Sequence, residues 1–169
     1  ISSDRHEHLL FVCPVDLDKM TIGTPSRKIL IRNEQYLLSD AESLTVRTYN
    51  RQSSLFIMSS LSNAPNAQPL PQRRHLFRAE IKSSSSFEIE QPNILSAGFI
   101  RRQLEPLMEA IKLAPYTAYD AEFDKNTYRW GNVEGISFTP DGQTLLCGMR
   151  NPLYNNDAIL FAVSGIPEA

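Results

Sequence analysis

A recurring pattern constrains this chain's fold more than any other feature. One copy runs Asp40-Ala41-Glu42-Ser43-Leu44-Thr45-Val46, a polar turn, then Leu55-Phe56-Ile57-Met58-Ser59-Ser60. Another runs Asn132-Val133-Glu134-Gly135-Ile136-Ser137-Phe138, then Thr139-Pro140-Asp141-Gly142, then an apolar run from Thr144 to Met149. Each copy has the order carboxylate or amide, gap, Glu, small residue, aliphatic, hydroxyl, apolar residue. A third apolar stretch follows both: Leu76 to Ile81 after the first, Ala158 to Val163 after the second. The opening residues resemble the tail of a further copy, with Ile1-Ser2-Ser3-Asp4 matching Ile57-Met58-Ser59-Ser60 and His8-Leu9-Leu10-Phe11-Val12 matching His75-Leu76-Phe77.

Each unit therefore reads as strand, tight turn, strand, loop, strand. Short runs rich in Val, Ile, Leu and Phe between turn signals are the mark of all-β structure, and Pro140-Asp141-Gly142 has β-turn chemistry. The spacing predicts antiparallel strands at Leu9–Cys13, Glu42–Val46, Leu55–Ser59, Leu76–Ile81, Val133–Phe138, Thr144–Met149 and Ala158–Val163. Units of three to four strands repeating along a chain are the blades of a β-propeller. The expected fold is thus all-β, a partial β-propeller of about two and a half blades that forms one domain over residues 1–169. Units of this kind bury their faces only against neighbours, so the remainder of a longer chain or another subunit is expected to complete the ring.

The two Glu motifs are further apart than a single blade requires, so the gap holds either two blades or one blade with an insertion; an insertion at about residues 82–129 is the favoured reading. It opens with the low-complexity run Ser83 to Ser86 and contains Ile100, Leu104, Leu107, Met108 and Ile111 at the spacing of one helical face. A helix is expected between about residues 98 and 114, kinked or started near Pro106 and stopped by Pro115.

Charge and cysteine content exclude several classes. Seventeen Lys and Arg against nineteen Asp and Glu leave a net charge of −2 without a long basic run, so the electrostatic footprint of nucleic-acid binding is missing. Arg73, Arg74, Arg78, Arg101 and Arg102 read as a solvated face. No apolar run reaches the length of a membrane span, and Ile1-Ser2-Ser3-Asp4 does not open a signal peptide. A soluble protein of unassigned compartment is the expectation. Cys13 and Cys147 lie in apolar runs and read as buried free thiols. No Cys/His spacing supports zinc, and His6, His8 and His75 form no ligand set.

Over Leu38–Ser62 and Trp130–Val163 the chain resembles a bacterial β-propeller family known only as a domain of unknown function. The likeness is carried by Asn132-Val133-Glu134-Gly135-Ile136 with Gly148-Met149-Arg150-Asn151-Pro152, close to that family's Ile-Glu-Gly-Leu strand and Gly-x-Arg-x-Pro strand end. Asp40-Ala41-Glu42-Ser43-Leu44 with Ser59-Ser60-Leu61-Ser62 is similar to its other blade, departing from it at Ser43, where Gly is usual, and in having no His between the serines. The Glu-Gly strand start is also distantly similar to phytase-like esterase and gluconolactonase-type propellers. In some of those, glutamates at this place face the central channel and hold a metal.

If the Glu-bearing strands are innermost, Glu42 and Glu134 converge on a channel from different blades. Hard cations such as calcium take several oxygen ligands from separate elements. Glu42 and Glu134 are accordingly the candidate ligands for a divalent metal, and Asp40, Asn132 and Arg150 the candidate ligand-binding residues. The same glutamates would also serve as blade-locking hydrogen-bond acceptors, or as partners of an arginine such as Arg150. Ser59, Ser60 and Ser62 have no nucleophile elbow around them and read as strand-end hydrogen-bonding groups. Two such carboxylates also suit acid and base roles in hydrolysis, the least favoured reading, and no catalytic residue is assigned. Two functions stay open. One is a binding or scaffold module that recognises a small molecule or protein at the channel mouth. The other is a divalent-metal-dependent hydrolase of the esterase, lactonase or phosphatase type.

Overall fold

The computed structural model describes residues 9–29, 38–62, 70–83, 88–89, 93–96, 132–154 and 157–166. These form twelve strands and one short 3-10 turn, Pro71–Arg73. The strands are β1 (Leu9–Val12), β2 (Val15–Asp16), β3 (Thr21–Ile22), β4 (Ser26–Ile29), β5 (Ala41–Tyr49), β6 (Gln52–Ser59), β7 (His75–Ser83), β8 (Glu88–Ile89), β9 (Asn93–Ser96), β10 (Asn132–Phe138), β11 (Thr144–Tyr154) and β12 (Asp157–Ser164). All pairing is antiparallel. The described residues form no closed barrel or ring.

Two meanders dominate. In the first, β5, β6 and β7 follow one another, and β8 and β9 both pair with β7. In the second, β10, β11 and β12 follow in the same order. All seven strands expected from the sequence are present, and β9 pairs His75 to Arg78 with Ser96 to Asn93. The sheet thus draws strands from the stretch expected as an insertion. The helix expected between about residues 98 and 114 lies outside the described residues.

Local chemistry sets the turns. Asn50 and Arg51 have φ of 49° and 67° and link the paired residues Tyr49 and Gln52. A two-residue hairpin with both central residues at positive φ matches the right-handed twist of its strands, and Asn favours that conformation. At the other turn the Gly142 amide donates to the Thr139 carbonyl at 2.7 Å, with Gly142 at φ 69°. The Asp141 carboxylate accepts from the Thr139 hydroxyl and the Gln143 amide.

Burial explains the arrangement of layers. Ser54 to Ser59 are all buried. Because side chains alternate along a strand, such a strand must be covered on both faces. Phe56 and Met58 belong to a core shared with Val133, Ile136, Leu145, Cys147, Met149 and Val163 of the second meander. Leu55, Ile57 and Phe77 belong to another, shared with Leu10 and Leu38. The first meander is the middle layer of three. Arg47, also buried, reaches from β5 toward the second meander, with its guanidinium over the rings of Tyr49 and Phe138.

Cys13 and Cys147 are both free thiols, as expected. Cys147 is buried, and burial pushes its pKa up to about 12. Cys13 departs from the expectation: it follows the end of β1 and is only half-buried. No helix among the described residues is long and apolar enough to cross a membrane.

Candidate functional site

The start of β5, the end of β6 and the start of β10 meet at one pole of the layered sheets. The Ser60 amide donates to the Asp40 carbonyl at 2.9 Å, and the Val133 amide donates to the Ser60 carbonyl at 2.8 Å. Further along, the Ile136 amide donates to the Ser43 hydroxyl at 2.8 Å. These bonds hold β5 and β10 together with both Glu-bearing ends at the same pole.

Both glutamates sit in β-bulges at matching places. Pairing in the first hairpin slips between Ala41 and Ser43, so Glu42 is the extra residue. Pairing in the second slips between Val133 and Gly135, so Glu134 is the extra residue. A bulge bends its strand and re-aims the extra side chain, and bulges concentrate at rims and beside functional sites. A further slip between Asn132 and Val133 leaves Arg150 as the extra residue on β11. The two bulged side chains meet: Arg150 Nη1 donates to Glu134 Oε1 at 2.8 Å in a largely exposed ion pair. Glu42 is half-buried and has an interaction of its own.

Asp40 builds a second polar group. Its backbone has φ 56°, a left-handed conformation that Asp tolerates better than most residues. Asp40 Oδ2 accepts from the Ser60 hydroxyl and, at 3.2 Å, from Arg73 Nη1. The Ser60 and Ser62 hydroxyls are 2.7 Å apart, and Arg73 Nη1 also donates to Ser62 Oγ at 3.2 Å. The Leu61 amide donates to the Arg73 carbonyl at 2.9 Å. Ser60 and Ser62 are thus strand-end hydrogen-bonding groups, as their sequence context suggests.

Arg73 corrects the sequence reading. Expected on a solvated face, its side chain is only 23% exposed and paired with Asp40. Its place next to a strand start was visible in the sequence, but its pairing with Asp40 was not. Arg78 likewise is half-buried, with Nε donating to Ser54 Oγ at 3.3 Å. Asn132 brings a polar atom to the same pole: its Oδ1 is buried without a hydrogen-bond partner among the described residues, as is Ser59 Oγ. Among the described residues no three His, Cys, Asp or Glu side chains gather as a metal-binding group. No family model, curated protein or solved structure matches the chain.

Proposed function

We propose that the chain is part of a β-propeller-like ring acting as a binding or scaffold module, with Glu42 and Glu134 on the channel side. The observation that carries this reading is the pair of matching bulges, which give Glu42 and Glu134 the same position in two neighbouring meanders. A middle sheet buried on both faces supports it, because consecutive blades cover one another. Recognition is assigned to the pole bearing Asp40, Asn132, Glu134 and Arg150, where an exposed ion pair offers both a donor and an acceptor to a small molecule or protein.

Binding is preferred over metal-assisted hydrolysis because guanidinium groups already engage two of the carboxylates. Arg150 engages Glu134 and Arg73 engages Asp40, so a divalent cation would compete with a guanidinium at each of these carboxylates. Elemental analysis of the complete protein after dialysis, with Glu42→Gln and Glu134→Gln variants alongside, tests the choice. The expected result is substoichiometric metal in all three. Stoichiometric calcium or another divalent ion that either variant loses would overturn the reading in favour of the hydrolase.

A further inference from the structure

Two residues at the pole that are not glycine hold left-handed backbone, Asp40 with φ 56° and Leu61 with φ 64°. Asp tolerates that region, but a bulky residue such as Leu is an outlier there. Leu61 is also 1% exposed, with its side chain in the core shared with Val133 and Ile136. Strained residues persist only where their surroundings over-determine them, and they cluster at ligand clamps and switch regions.

The surroundings of Leu61 are the Asp40 group. The Leu61 amide donates to the Arg73 carbonyl at 2.9 Å, and the Ser62 amide donates to the Ser60 hydroxyl at 3.1 Å. The Ser60 hydroxyl donates to Asp40 Oδ2, which Arg73 Nη1 also engages. The same turn carries a bond between the meanders, from the Val133 amide to the Ser60 carbonyl at 2.8 Å. That carbonyl belongs to the planar peptide unit joining Ser60 to Leu61, so a change of φ at Leu61 re-aims it.

We propose that Ser60-Leu61-Ser62 is a strained latch coupling the Asp40–Arg73 pair to the start of β10. When it is closed, the polar network and the packed Leu61 side chain hold the turn left-handed, with the Ser60 carbonyl on Val133. A ligand donor that draws the Asp40 carboxylate away from Ser60 and Arg73 removes that hold. Leu61 then relaxes toward extended backbone, the carbonyl swings off Val133, and the strand end bearing Asn132 and the bulged Glu134 is released. Binding at Asp40 and binding at Glu134 are thereby coupled, and such coupling is reciprocal. A separate bond, from the Ile136 amide to the Ser43 hydroxyl at 2.8 Å, keeps β10 on the first meander in both states. The inference rests on the reading of this pole as a recognition surface and adds regulation to it.

Amide hydrogen exchange of the complete polypeptide, resolved to single residues by mass spectrometry, tests the latch. Ser60→Ala and Asp40→Asn weaken the network but leave two main-chain acceptors in place, the Arg73 carbonyl for Leu61 and the Ser60 carbonyl for Val133. In both variants the Leu61 and Val133 amides are expected to exchange about tenfold faster, while those of Leu145 and Cys147 keep their rates. Ser43→Ala is expected to speed Ile136 and to leave Leu61 unchanged. Faster exchange at Leu61 without Val133 would overturn the coupling. Equal acceleration at Leu145 and Cys147 would reduce the network to a contribution to global stability and overturn it too, as would unchanged rates in both variants. So would a Ser43→Ala protein in which Leu61 speeds up as much as in Ser60→Ala, because the meanders would then part as one unit. Metal content plays no part in this readout, so its failure is distinct from a failure of the binding reading in elemental analysis.

Discussion

Phe56 and Ile57 are adjacent on β6, point to opposite faces, and are both 0% exposed. In a sheet with one wet face, truncating one of two neighbours would be nearly free, because surface substitutions usually stay within about 0.5 kcal/mol. Here neither should be. Phe56→Ala removes a ring packed edge-on to Phe138 with centroids 4.8 Å apart, and core Phe→Ala changes cost about 3–5 kcal/mol. Ile57→Ala opens a hole between Phe77, Leu10 and Leu38, and core Ile→Ala changes cost about 2–5 kcal/mol. Leu160→Ala, at 66% exposure, is the control and should fall within about 0.5 kcal/mol. Urea unfolding followed by tryptophan fluorescence and circular dichroism measures all three, provided the slope with denaturant stays constant. A cost below about 1 kcal/mol for either Phe56→Ala or Ile57→Ala would refute the three-layer account, since one face of β6 would then be uncovered.

The two arginine pairs should separate in the same assay. Arg73→Ala strips a charge-assisted bond from part-buried Asp40 and should cost about 1.5–3 kcal/mol, whereas exposed Arg150→Ala should cost less than about 1 kcal/mol. Equal costs would contradict the geometry. Burial raises the Cys147 thiol from 9.0 to about 12, so the folded state keeps a proton that the unfolded state loses above pH 9. Stability should therefore fall with a slope of up to about 1.4 kcal/mol per pH unit above that point, and Cys147→Ala should remove that contribution. Burial lowers the His75 pKa below 6.5. The unfolded state then binds the extra proton first, and stability should drop as pH falls from 6.5 toward the folded value. His75→Gln should flatten that part of the pH profile, as read by thermal melts.

Much of this fold is legible in the sequence because its strands are short, apolar and bounded by turn residues. The continuous apolar run Leu55-Phe56-Ile57-Met58 reads as a strand; that all four residues are buried, on both faces, emerged only from the structure. Strands β2, β3, β4, β8 and β9 were not legible. They span two to four residues each, too few for periodicity to register. At the candidate site, the motif located both glutamates, yet the bulges that set their direction depend on pairing across strands. The ion pair of Asp40 with Arg73 was hidden for a related reason. It closes across a strand end and a prolyl turn that no local pattern joins.

The central claim is that these stacked meanders are consecutive blades of a ring with Glu42 and Glu134 on its channel. A crystal structure of the complete polypeptide tests it most directly. The account expects a closed ring of radially arranged sheets, β5 and β10 innermost in neighbouring blades, and both glutamates facing one central channel. A two-sheet sandwich or a barrel closed within residues 9–166, with Glu42 and Glu134 on its outer surface, would contradict it.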